Sequence, residues 1–202
     1  MYSEGRNHMN NNKIAIFLLF ILLATSESGF SQSEQNVPIE SYRHSLETSP
    51  LSPFMQMAQK GIWGLKYEYA ITPEDELKLG IAYMNIYFDE GNTNSPALIF
   101  GYRRYFHKKW YAEYEIWPCY DEFYEKYEDK YYKGFDLWNE FRIGYQFNFK
   151  VGDFPLFTNV AWPFGFGLYS TNKPDSFYDR MNQSFGDKYF FHFPLIFVGY
   201  KF

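Results

Sequence analysis

Four histidines, one cysteine and a tract of mixed acids, lysines and tyrosines are the side chains of this sequence whose types could do chemistry. Their spacing narrows that chemistry sharply. His8 falls in a leader, and His44, His107 and His192 fall on different expected strands or turns, so no metal spacing forms and no metal or cofactor is expected. His107 with Lys108 and Lys109 reads as a solvated turn. Cys119 is the sole cysteine, which excludes an intramolecular disulfide and leaves a packing residue. Gly165-Phe-Gly167 is not a phosphate loop, since it reads as small residues on one face of a strand. The tract Asp121 to Gly134 mixes acids, bases and Tyr in a way that suits a sugar, a protein or cation-bridged lipopolysaccharide, and equally suits a protruding hairpin with solvated charges.

The elements that must position these groups are strands. Aromatics make up 24% of the 202 residues, with 20 Tyr and 23 Phe, and a net charge of -5 offers no basic field for nucleic acid. From Phe135 to Phe149 the odd positions are nearly all apolar and the even ones, Trp138 apart, polar or small, and from Leu156 to Leu168 the same period of two recurs with Phe157, Asn159, Ala161, Pro163, Gly165 and Gly167 on the second face. Gly61 to Thr72 sets Trp63, Leu65, Tyr67 and Tyr69 against Lys66 and Glu68. Leu77 to Phe88 sets Leu79, Ile81 and Tyr83 against Lys78, Gly80 and Ala82. Pro96 to Phe106, Trp110 to Tyr120 and Lys188 to Phe202 make seven. An eighth is expected at His44 to Met55, weakened by Pro50 and Pro53. The connections alternate: Pro73 to Glu76, His107 to Lys109 and Lys150 to Asp153 are short, whereas Gln56 to Lys60, Asp89 to Ser95, Asp121 to Gly134 and Ser170 to Asp187 run longer at the other end. No helix is expected after the leader.

Arg6 and Lys13 precede the apolar run Ile14 to Ala24, with small residues around Phe30, so residues 1–31 read as a signal peptide with cleavage before Gln32. Met1 and Met9 both remain open as the start. Residues 32–43 read as a periplasmic lead-in and 44–202 as the barrel domain.

The closing stretch Phe190-Phe-His-Phe-Pro-Leu-Ile-Phe-Val-Gly-Tyr-Lys-Phe202 carries a terminal aromatic preceded by apolar residues at alternate positions: Phe202, Tyr200, Val198 and Ile196. With Gly101-Tyr-Arg-Arg-Tyr-Phe106 and Leu65-Lys-Tyr-Glu-Tyr-Ala70, it resembles the small eight-stranded OmpX/OmpA-type outer-membrane β-barrels of Gram-negative bacteria. The resemblance implies an eight-stranded antiparallel transmembrane β-barrel in the outer membrane, an assembly signal in those four residues, and contact with outer-membrane lipid, lipopolysaccharide and the barrel-assembly machinery. It also raises the lipid A deacylases, which carry His and Ser two apart on one strand face. His44 and Ser45 are adjacent and point to opposite faces, so no enzyme is expected, although His192 shares parity with Ile196 and Val198. A soluble lipocalin-like carrier is the rival from another class, because its strands alternate too. The leading expectation is a structural or surface-interaction barrel, with 121–134 as the segment for an extracellular partner.

One constellation belongs to the interior. If the turn near Lys108 joins its strands symmetrically, Arg103 lies opposite Glu113, and if the next hairpin centres near Tyr127, Glu113 lies opposite Arg142. One carboxylate would then sit between two guanidiniums inside the barrel.

Overall fold

The computed structural model describes residues 42–50, 60–87, 89–181 and 194–202, all within the compact unit Ile39–Phe202. They form β1 (His44–Thr48), β2 (Lys60–Ala70), β3 (Asp75–Tyr87), β4 (Gly91–His107), β5 (Trp110–Glu125), β6 (Lys130–Val151), β7 (Phe154–Ser170), one short helix α1 (Asp175–Met181) and β8 (Leu195–Lys201). Every strand is antiparallel to its sequence neighbours, and β1 pairs with β8 from Ser45↔Lys201 to Thr48↔Val198, so the eight strands close on themselves as a barrel. The expected all-β class and strand number are those observed. The signal peptide, nearly all of the lead-in and His192 lie outside the described residues.

Local chemistry explains the connections. At one end the strands turn within a few residues. Lys108 takes a φ of 51°, and Gly152 takes 61°, the left-handed backbone that two-residue hairpins require. Between β2 and β3, Thr72 Oγ1 accepts the Asp75 and Glu74 amides, a side-chain cap on a bend.

At the other end the strands run further than the sequence pattern indicates. β4 begins at Gly91 rather than Pro96, and the tract expected as a loop over Asp121 to Gly134 is a paired extension of β5 and β6, with Glu125↔Lys130 closing a tip where Asp129 has a φ of 50°. Polar residues hide a strand from a hydropathy pattern when neither face is apolar. The first strand is corrected in the opposite sense: β1 stops at Thr48, before Pro50, which has no N–H to continue a ladder. The β7–β8 connection, read as a plain loop, contains α1.

Side-chain direction inverts the usual order of a globular domain. Among the described residues the buried set holds more polar or charged side chains than apolar ones, while Leu79, Ile81, Leu98, Ile143 and Trp162 point outward and are about half exposed. The lumen is filled rather than hollow. Gly144 and Gly199 make that filling fit, since a Cβ at Gly144 would meet the Tyr111 ring at 2.5 Å and one at Gly199 would meet the Phe157 ring at 2.1 Å.

Candidate functional site

The register brings Arg103, Glu113 and Arg142 together, in direct cross-strand pairs Arg103↔Glu113 and Glu113↔Arg142. Arg103 Nε donates to Glu113 Oε2 at 2.7 Å, and Arg142 Nη1 donates to Glu113 Oε1 at 2.6 Å, so one carboxylate is held by two guanidiniums. All three side chains are 2% exposed or less. Each guanidinium also lies over an aromatic face, Arg103 over Tyr111 at 4.1 Å and Arg142 over Phe197 at 4.8 Å, where the ring quadrupole attracts a desolvated cation.

The triad is the centre of a larger lattice. Lys78 Nζ reaches Glu113 and Glu68, each at 2.6 Å. Lys66 Nζ reaches Glu115 at 2.9 Å and Glu47 at 3.2 Å, and Arg142 adds Glu115 at 3.1 Å and Glu140. Glu47 is the hub that sequence reasoning missed: it accepts from Lys66, Lys78, Arg103 and Asn159, joining β1 to β2, β3, β4 and β7. Lys66, Lys78 and Glu68 were visible as the polar parity of their strands. Glu47 was hidden because its strand is five residues long and flanked by proline. A cavity of about 30 Å³ beside Lys66, Glu140 and Arg142 has room for a water or two.

A second polar cluster closes the mouth at the long-loop end. Asp121 accepts from Thr93, Ser95, Asn172 and Lys173, and Lys173 also reaches Asp136 at 3.4 Å. Asn172 Nδ2 donates to the Asp121 and Tyr132 carbonyls, while Phe177 of α1 is buried against Phe123 with ring centroids 4.9 Å apart. The segment after β7 is thus strapped across the extension of β5 and β6. Burial works against the charged Asp121, but the Lys173 ammonium and the Asn172, Lys173 and Ser95 hydrogen bonds outweigh it and hold the carboxyl below its ordinary range. Cys119 is buried nearby, its thiol donating to the Asp136 carbonyl at 3.1 Å.

Of the remaining candidate groups, His44 stands apart from both clusters and Ser45 joins the inner one. His44 bonds the Tyr67 hydroxyl at 2.5 Å on the outer wall and stacks on Phe202, whereas Ser45 donates inward to Glu68 at 2.7 Å. No group of three metal-ligating side chains occurs among the described residues. Val198, Tyr200 and Phe202 point outward, Ile196 is half-buried with the same parity, and the Phe202 and His44 backbones exchange both hydrogen bonds at the β1–β8 seam.

No family model, curated protein or solved structure matches the chain. The resemblance to small outer-membrane barrels therefore rests on its residues and their pattern alone.

Proposed function

We propose that this chain is an integral outer-membrane β-barrel with a structural or surface-interaction role, neither an open pore nor an enzyme. The observation that carries the reading is the inversion of polarity: charges packed inside, and rows of large apolar side chains outside on every long strand. Fully burying a Leu, Ile or Phe is worth about 1.5 to 3 kcal/mol, which an aqueous exterior would forgo at each position and a lipid exterior would recover. A soluble ligand carrier is built the other way, with an apolar cavity and a wet outer wall.

The apolar belt has the dimensions a bilayer needs. On β5 it runs outward through Trp110, Ala112, Tyr114, Ile116, Pro118 and Tyr120, within the roughly 9 to 11 residues of a tilted spanning strand, and Asp121 and the strapped mouth lie beyond it. Rings mark both rims: Phe106, Trp110, Phe149 and Phe154 at the short-turn end, and Tyr83, Tyr120, Phe135 and Tyr169 at the other.

Detergent gels of membrane fractions test this. Unheated protein should migrate differently from boiled protein and partition with the outer membrane. Recovery as a soluble periplasmic protein with no heat-dependent shift would overturn the reading.

A further inference from the structure

Above the apolar belt, β3 to β6 continue as a four-stranded sheet, and their register lines up the outward side chains in three rows. Nearest the belt are Tyr83 and Pro96, which pair, and Tyr120 and Phe135, which pair. One step further out, Asn85↔Asn94, Asn94↔Glu122 and Glu122↔Lys133 form a continuous polar row. Beyond it, Tyr87↔Asn92, Asn92↔Tyr124 and Tyr124↔Tyr131 form a second aromatic row. The two aromatic rows are four residues apart along the strands, about 13 Å at ~3.3 Å per residue.

We propose that this lattice binds the sugar headgroup of a membrane glycolipid, lipopolysaccharide in an outer membrane, with rings stacking on the sugar and the row between them taking its hydroxyls. The inference rests on the membrane reading above and adds the face and the part of the lipid it holds.

Three observations select that occupant. The first is position: the rows continue directly from the lipid-facing Ile81, Leu98 and Pro118, so a ligand with its acyl chains on the belt carries its headgroup at the height of the lattice. The second is chemistry. Tyr87, Tyr120 and Tyr131 are each about half exposed, and a ring with a polar edge suits a ligand that alternates C–H faces and hydroxyls. The third is charge. Lys133 is already neutralised by Glu122 at 2.7 Å, and Asn85, Asn92 and Asn94 are neutral, so the lattice offers hydrogen bonds rather than a free cation for phosphate. Part of this row is preorganised, since Tyr83 Oη donates to Asn94 Oδ1 at 3.2 Å and Asn85 Nδ2 donates to the same oxygen.

The test is lipopolysaccharide titrated into folded protein in detergent, with phosphatidylglycerol as comparator and the gel shift as a check of folding. Wild type should prefer lipopolysaccharide by about tenfold or more, and Tyr124→Ser with Tyr131→Ser should lose about tenfold in affinity. Tyr127→Ser, at the hairpin tip outside the rows, should bind as wild type. If the double variant does not fold, Asn92→Ala with Asn94→Ala carries the same comparison. Equal binding of the two lipids, equal binding by the variants, or loss of binding on dephosphorylating the lipopolysaccharide would each overturn the proposal while leaving membrane insertion intact. A chain that enters no membrane overturns both.

Discussion

Glu113 accepts from Arg103 and Arg142 and lies 2.6 Å from Lys78, so it is the residue whose loss leaves the most charge uncompensated. Breaking a buried pair by removing one partner costs about 3 to 5 kcal/mol, because the cost is the stranded charge more than the lost attraction. Glu113→Gln should therefore destabilise the folded protein by about that amount in detergent unfolding, and Arg142→Gln should do so by a similar amount. The double variant should cost clearly less than the sum, since each substitution removes a group that the other had stranded. Additive, near-zero effects would mean the three side chains do not act as one unit. The legibility of this site followed from two regularities: strand parity put the three residues inside, and symmetric hairpins put them opposite one another. Parity holds in all three strands and the β5–β6 hairpin is symmetric from Glu125↔Lys130 to Glu113↔Arg142, whereas the β4–β5 hairpin reaches Arg103↔Glu113 only because a bulge between Tyr105 and His107 shifts the register set by His107↔Trp110. Glu47 escaped both regularities, because β1 is only five residues long and no short turn in the sequence sets it opposite Lys66, with which it pairs.

At the scale of elements, the strands whose two faces differ in polarity could be read from sequence, and those whose faces do not could not. β7 was legible because Phe157, Asn159 and Ala161 alternate with Leu156, Thr158 and Val160. The outer part of β5 was not, since Asp121 and Phe123 face inward against Glu122 and Tyr124 outward, a mixture without period. The strap across the mouth was illegible for another reason: it is defined by contacts of Asn172, Lys173 and Phe177 with residues some forty to fifty positions away, none of which leaves a local trace. Those contacts make the strap sensitive to acid. Asp121 has a folded-state pKa below its ordinary value, so its contribution is present above the unfolded-state range near pH 4 and is lost as pH falls through the lower folded-state value. Asp136 shares Lys173 with Asp121, so protonating both carboxyls strips the buried Lys173 side chain of its two ion-pair partners. NMR resonances of Thr171 and Asn172 should shift together below about pH 4, and Asp121→Asn should show the shifted spectrum at neutral pH. Wild-type resonances unmoved down to pH 2 would sink the assignment of Asp121 as the clasp.

The whole molecule poses the question of whether its closed wall surrounds a path. Eight strands enclose an interior just wide enough for side chains to fill, and here the side chains interlock across it. Arg103 of β4 reaches Glu47 of β1 at 2.9 Å, and Lys66 of β2 reaches Glu115 of β5 at 2.9 Å, each pair joining strands three apart around the ring. An ion crossing this layer would have to separate such pairs where little water can replace them, and the strap of Asn172 and Lys173 adds a second layer at the mouth. The same interlock gives β1 a role out of proportion to its five residues: Glu47 ties it to four other strands, so the charges that block the lumen also hold the seam shut. Planar-bilayer recordings of the folded wild type should accordingly show no steady conductance. Arg103→Ser with Lys66→Ser removes both cross-lumen cations and frees Glu47 from two of its partners, and it should produce intermittent openings together with a weakened gel shift. A large steady conductance in the wild type would mean that the ion pairs do not span the lumen, and a double variant as silent and as heat-resistant as the wild type would mean that they neither block the path nor pin the seam.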